Sequence, residues 1–547
     1  MATVSPSTAP GTTSHFHHRW LNPWLWGALV IAAIVAVPVA VVLVSLTSPA
    51  GDNWQNIRST VLSTYILNTL TLTLGATALA TLFGLPTAWF IATSNFPGRR
   101  LFSWALVLPL AVPTYIAAYA YSPALDYSFE ILIFARDSLG ANSPATYETV
   151  YVKTLLVVVL ASVLFPYVYL ACRASFARGA GTAALEAART LGATPWTAIH
   201  RVSRPIVRPA LAGGLTLVAM EVINDYGAVS FFNVPTLTDG IFRAWRGSGD
   251  LNVALRIAAC VMLFVLALIV IERLQRGRAR FADTTTARSN LHRRKLSPLT
   301  ATLAVTACLV PLATGFLYPV YQMLRWSTFA FAKTAWPDFT TTLLQTLALA
   351  SSTSLILVAA AVLVAYANRL HPGRTLNTAS KIATLGYAIP GAVVAIGALY
   401  FSGALDTALG HPFLSNTFAL IILAYLARFL AVSLHPVEAG LTKTCATLDS
   451  AARTLGESPL RTLFRVDLPL LKPALAAAAI LVFVDVLKEL PLTVVLRPAN
   501  FNTLATRAFD FAYMERIPET SIPSLAIIIT GACATLLLDR LVNSRHR

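Results

Sequence analysis

Residues 187–192 read Ala-Ala-Arg-Thr-Leu-Gly, and residues 451–456 read Ala-Ala-Arg-Thr-Leu-Gly again. Outward from this core the match holds its register. Pro195 recurs as Pro459, Arg201-Val202 as Arg465-Val466, Pro205 as Pro469, and Pro209-Ala210-Leu211-Ala212 as Pro473-Ala474-Leu475-Ala476. Each copy is a polar stretch between long apolar runs. Chance similarity among apolar helices would not put proline, arginine and glycine at matched positions of two polar loops, so the chain is an internal duplication. An earlier pair, Pro97-Gly98-Arg99 and Pro372-Gly373-Arg374, repeats at a slightly larger offset. A longer external loop in the first half, Ser122 to Thr149, accounts for the difference.

The apolar runs fix the environment. Of 547 residues 56% are hydrophobic and 12% charged, whereas soluble domains carry about 25% charged residues. Twelve runs are each near the ~20 residues a helix needs to cross a bilayer. Their centres fall at Ile34, Thr81, Val112, Val159, Val218 and Phe264, then Val310, Leu357, Ala392, Leu423, Val482 and Ile528. Helices are expected because an unclosed sheet leaves backbone groups unsatisfied in lipid, and the runs lack the alternation of a barrel. The predicted fold is therefore all-α, a polytopic membrane protein of 12 transmembrane helices in a 6+6 parallel duplication. Trp24 to Leu46 is longer than a signal-peptide core and is read as a retained span. The predicted divisions are a disordered tail (1–20), a first half (21–275), a flexible linker (276–297) and a second half (298–547).

Charge sets the orientation. The net charge of +17 comes from 41 Lys and Arg against 24 Asp and Glu. The basic residues collect in alternate loops: Arg99/Arg100, Arg173 to Arg208, Arg273 to Lys295, Arg369/Arg374, Arg428 to Lys472, and the terminal Arg545 and Arg547. The other loops hold Asp52, Asp126, Glu130, Asp137, Asp406 and Glu519. By the positive-inside rule the basic set and both termini face the cytoplasm. This pattern implies a lipid partner and needs no nucleic acid. Five cysteines without a C-x-x-C suggest neither a disulfide framework nor a zinc site. Tyr115, Tyr119 and Tyr121 on the third run read as interfacial anchors, with pore lining as the alternative.

The repeated loops have a helical grammar. Ala183 to Leu191 favours helix, and Gly192 can end it. Thr194-Pro195 reads as an N-cap followed by a first-turn proline. Helix resumes through Trp196 to Val202 and stops near Pro205. The second half repeats this with Gly456, Ser458-Pro459 and Pro469. A cytoplasmic helix pair without catalytic residues is a docking surface.

Glu186-Ala187-Ala188, with Gly192 and Pro205 at fixed spacing beyond, resembles the EAA loop of binding-protein-dependent ABC importer permeases. The resemblance implies a type I ABC importer permease fold and a coupling helix that seats on an ATPase subunit, here from loops 183–205 and 447–469. The implied docking residues are Glu186, Ala187, Ala188, Gly192 and Pro205, then Asp449, Ser450, Ala451, Gly456 and Pro469. The second copy departs from the pattern: Ser450 stands where the family has Glu, with Asp449 just before it, which implies weaker or shifted ion pairing in that dock. Glu221 to Ser230 with Asp239-Gly-Ile-Phe-Arg243-Ala-Trp245, and Lys488-Glu489-Leu-Pro491-Leu-Thr493 with Arg497-Pro498 and Asn502 to Arg507, are similar to signatures of fused ferric-iron permeases. Fused permeases for thiamine and phosphonates share the architecture. The family implies the bacterial inner membrane, two copies of a separate ATPase and an extracytoplasmic binding protein. It implies no cofactor on this chain, ATP being used by the partner. Consistently, the chain has no Gly-Lys dipeptide and hence no P-loop.

Glu221 and Asp225 are spaced i,i+4 on the fifth run, and Asp485 and Glu489 take the same positions in the repeat. Such pairs share a helix face, and the first residue of each lies ~20 Å from the cytoplasmic helix end. Intramembrane carboxylates usually face water or a partner. Two arrangements fit. Either both pairs line a path between the halves, as hard oxygen ligands for a hard cation, or they are structural: Asp485 pairs with Lys488 at i,i+3, and Glu221 and Asp225 meet a neighbouring arginine. A secondary transporter of 6+6 design would not need the elaborate repeated loop. An embedded enzyme would need a nucleophile or metal motif that the sequence lacks.

Overall fold

The computed structural model describes residues 23–49, 51–137, 144–177, 187–188, 190–192, 194, 197, 201, 204–276, 294–443, 448, 451–452 and 454–543. Eleven helices are long and apolar enough to cross a bilayer, and a helix pair bent by 92° supplies a twelfth span. Spans 1 to 6 are Pro23–Thr47, Leu62–Thr93, the bent pair Arg99–Ala111 with Thr114–Ala120, Thr146–Phe176, Arg204–Asn224 and Leu251–Gln275. Spans 7 to 12 are Pro298–Lys333, Trp336–Leu370, Gly391–Leu409, Phe418–Thr442, Pro459–Leu487 and Ile517–Leu538. The all-α expectation holds. The one exception among the described residues is a two-residue parallel pairing of Ser94-Asn95 with Arg294-Lys295, which ties the last part of the linker, expected to be flexible, to the end of span 2.

Span 2 shows why these sequences pack as they do. Leu67, Leu70 and Leu74 face outward, while Thr69, Leu72, Thr73, Ala76 and Ala80 are buried. Lipid is as apolar as leucine, so large aliphatic residues gain little by turning inward, and small and weakly polar residues make the contacts. Gly75 receives Val157, and a Cβ on Gly84 would lie 2.8 Å from Val168. Each inward threonine satisfies itself on the preceding turn, as Thr73 does by donating to the Thr69 carbonyl at 2.7 Å.

The halves interlock. Span 1 packs against spans 8, 9 and 10, and the first part of span 7 packs against spans 2 and 4. Thus the first helix of each half lies on the opposite half. Gly397 of span 9 receives the backbone of Pro38, and Gly315 of span 7 lies against the Ser162 carbonyl.

Three expectations change. The third run of each half is not one straight helix. Of its expected centres, Val112 falls at a break beside Pro113, and Ala392 lies in the first turn of Gly391–Leu409, just after a break at Pro390, where proline cannot continue the hydrogen-bond ladder. The supposed external loop is helical over Ser122–Asp137 and again from Pro144. Pro469 does not stop the second coupling helix: the chain runs from Pro459–Thr462 through a π turn, Leu463–Asp467, into Leu468–Leu487. Pro469 falls in the first turn of Leu468–Leu487, where the N–H that proline lacks is least needed. Pro205 likewise lies in the first turn of the helix Arg204–Asn224.

Candidate functional site

Spans 5 and 11 also break, each at a carboxylate. Span 5 ends at Asn224 and helix resumes at Gly227–Phe231; span 11 ends at Leu487 and helix resumes at Pro491–Leu496. Asp225 and Glu489 stand in the gaps. Asp225 Oδ1 accepts the N–H groups of Ala228 at 2.9 Å and Val229 at 3.2 Å. Glu489 Oε1 accepts the N–H of Leu492 at 3.0 Å. Each carboxylate therefore caps the short helix that follows it, where negative charge is favoured. The breaks of spans 3 and 9 lie opposite. The Thr114 hydroxyl donates to Asp225, and the Gly391 N–H donates to Asn224 Oδ1 at 2.7 Å.

The four breaks converge on a cavity of about 110 Å³ whose lining includes Glu221, Asp225, Asp485, Glu489, Arg428 and Lys488. All four carboxylates singled out in the sequence thus share one cavity between the halves. In the second half both are paired: Lys488 Nζ lies 3.1 Å from Asp485 Oδ1, the i,i+3 contact expected from spacing, and Arg428 Nη2 lies 3.7 Å from Glu489 Oε2. In the first half the expected arginine is absent. Asp225 is held by a hydroxyl and two amides, and Glu221, half-buried, makes no hydrogen bond or ion pair among the described residues. The reason is positional. Arg428 sits where the repeat register puts Leu164 in the first half, so only the second half brings its own cation. Four acidic side chains against two basic ones leave the acids in surplus by two. Among the described residues no three His, Cys, Asp or Glu side chains converge to hold a metal ion, so the cavity is not a preformed chelate.

The cavity is closed on one side. Toward the repeated loops it meets an apolar space of about 450 Å³ lined by Leu170, His435, Leu481 and Leu538, and sharing Tyr167, Asp485 and Lys488. At the opposite end Tyr115, Gly227 and Leu490 meet so tightly that a Cβ on Gly227 would lie 2.5 Å from Tyr115 Cβ and 2.8 Å from Leu490 Cδ2. Tyr115 and Tyr119 are 4% and 0% exposed, so they are not interfacial anchors. Tyr121 donates to the Thr314 carbonyl at 2.9 Å. Asn224 and Thr114 were missed by sequence reasoning, and Arg428, counted there with the cytoplasmic basic residues, lies instead inside span 10. For Arg428 a signal existed, a lone cation inside an apolar run.

The repeated loops are twins where described. The Ala187 carbonyl accepts the Leu191 N–H at 3.1 Å, as the Ala451 carbonyl accepts that of Leu455 at 3.1 Å. Gly192 and Gly456 take φ of +80° and +82°, the left-handed cap expected of them. Thr194 accepts the N–H of Thr197 at 3.3 Å, and Ser458 that of Arg461 at 3.4 Å. Ala188 and Ala452 lie in matching helical turns. Leu191 and Leu455 project outward, 86% and 84% exposed. Glu186, Asp449 and Ser450 lie outside the described residues. In the second loop Arg465 pairs with Glu457 at 2.9 Å.

The family model of binding-protein-dependent transport system inner membrane components matches residues 80–280 and 357–544, once in each half. The chain is 22% identical to the Fe(3+)-transport system permease protein FbpB 2 of Haemophilus influenzae, over 88% of this chain and 89% of the relative. It is equally 22% identical to a probable ABC transporter permease protein, y4fN, of Sinorhizobium fredii, over 88% of each. A probable sulfate transport system permease protein, cysT, of Chlorokybus atmophyticus is 30% identical over 40% of this chain and 73% of its own length.

Proposed function

The chain belongs to the family of binding-protein-dependent transport system inner membrane components, and from that premise we propose that it carries ferric iron inward as the permease of an ATP-driven importer. The observation that carries the substrate is the charge of the central cavity. Its six acidic and basic side chains leave a surplus of two carboxyl groups, and both basic groups are already paired with acids. Carboxylate oxygens are hard ligands suited to a hard cation. An iron-permease relative that matches this chain nearly end to end supports the same reading.

In this reading the repeated loops and both termini are cytoplasmic. Two copies of a separate ATPase seat on the paired loops, with Leu191 and Leu455 as the apolar knobs and Gly192 and Gly456 setting the turns. Substrate arrives at the opposite face from an extracytoplasmic binding protein. The conformation is then inward-facing, with the cavity in contact with the cytoplasmic vestibule and closed outside by Tyr115, Gly227 and Leu490. Closure of the ATPase pair would draw the loops together and reverse that access.

The test is uptake of radiolabelled ferric iron by membrane vesicles containing the chain, its ATPase and its binding protein. ATP-dependent accumulation is expected. Accumulation of sulfate, thiamine or a phosphonate in place of iron would overturn the substrate while leaving the permease.

A further inference from the structure

Directly outside the carboxylate cavity, the helix Thr114–Ala120 turns two tyrosines into the closed end. Tyr115 and Tyr119 are one helical turn apart and share a face. Their ring centroids lie 5.8 Å apart, and Tyr119 packs edge-on to Phe231 at 5.0 Å. Both hydroxyls are buried and neither has a hydrogen-bond partner among the described residues. Tyr115 borders the cavity that holds Asp225 and Glu489.

Packing alone does not account for these oxygens. A buried hydroxyl without a partner is destabilising, and phenylalanine would fill the same space without that cost. The second half makes the contrast. Counted from the break prolines Pro113 and Pro390, the counterparts of the two tyrosines are Ala392 and Ile396. The tyrosines thus belong to the half whose carboxylates, Glu221 and Asp225, have no cation of their own.

We propose that the Tyr115 and Tyr119 hydroxyls are the outer-gate oxygen donors for the transported cation. When Tyr115 separates from Gly227 and Leu490, the two phenol oxygens become the first of a ladder that continues inward to Asp225 and Glu489. Phenol oxygens are hard donors of the same kind as the carboxylates. The hydroxyls are unpartnered in the inward-facing state because their partner is present only in the outward-facing one. This inference rests on the reading of the cavity as a cation path.

The experiment compares wild type, Tyr115→Phe, Tyr119→Phe and the double variant, each assembled with ATPase and binding protein in vesicles. Ferric iron uptake and the thermal unfolding midpoint of the complex are measured together. The double variant is expected to lose roughly tenfold in uptake, as for a lost hydrogen bond to a charged group, with the midpoint unchanged or raised and basal ATP hydrolysis unchanged. Unchanged uptake in the double variant overturns the proposal and leaves the iron reading standing. Uptake that falls in step with the unfolding midpoint also overturns it, since the hydroxyls would then be structural. A wild type that takes up no ferric iron removes the substrate reading and this inference with it.

Discussion

Glu221 and Asp225 lie one turn apart yet carry different loads. All of the bonds that Asp225 makes are internal: two backbone amides and the Thr114 hydroxyl. Glu221 has none among the described residues. Replacing Glu221 with Gln should therefore leave stability within about 0.5 kcal/mol, as for a side chain free of specific contacts, while lowering iron uptake at least several-fold. Replacing Asp225 with Ala should lower the unfolding midpoint, because the freed donors cost about 1–3 kcal/mol. Thermal unfolding beside vesicle uptake separates the two effects; equal losses of stability would contradict the division of roles. Gly227→Ala is a third residue-scale case. The added Cβ would meet Tyr115 and Leu490, so it should destabilise the closed outer end by about 1–3 kcal/mol. A cysteine placed beyond the gate would then react faster with a membrane-impermeant reagent; an unchanged rate would remove Gly227 from the closure. The carboxylates were legible in the sequence because charge is rare in apolar runs. Thr114 and Asn224 were not, since one threonine or asparagine in a span carries no signal until a helix break brings it to its partner.

At the scale of elements, the sequence conveyed repetition better than continuity. The left-handed glycine turns and the Thr194 and Ser458 caps were readable because each depends on a few adjacent residues. The breaks were not, because hydropathy sums over a window and a bent apolar helix is as apolar as a straight one. Pro113 and Pro390 were visible, but proline occurs within intact spans as well: Pro86 and Pro166 lie inside unbroken helices. What separates the cases is whether something else satisfies the freed groups, and that is tertiary. The glycine turns carry a prediction of their own. An L side chain at Gly192 or Gly456 would cost about 1–2 kcal/mol for the left-handed conformation, with open space around it and no clash to add. The double variant Gly192→Ala, Gly456→Ala should fold and reach the membrane, yet lose most of the ATP hydrolysis stimulated by loaded binding protein. Full stimulation would mean that the loops do not transmit through their turns.

At the scale of the whole molecule, the linear division into halves and the packed one differ. By sequence, residues 21–275 and 298–547 are the two units, but span 1 lies on spans 8 to 10, and span 7 begins on spans 2 and 4. The duplication was legible; the exchange of first helices was not, because a helix apolar all round does not state which neighbour it prefers. The exchange has a mechanical consequence. Each half holds a strap from the other, so packing as well as the connecting chain holds the halves together. The cavity is itself bridged from Asn224 in one half to Gly391 and Arg428 in the other. A covalent link between the halves should then be dispensable for assembly. If a protease site is placed within residues 277–293 and cut in detergent, a tag on the second half should still retain the first half through the exchanged helices, and reconstituted uptake should stay within about twofold of the uncut protein, a change of about 0.4 kcal/mol. Removing span 1 should undo this retention, because it takes away contacts with three second-half spans at once. Fragments that separate on simple cleavage would show that the exchanged helices do not hold the halves together and that the covalent connection does.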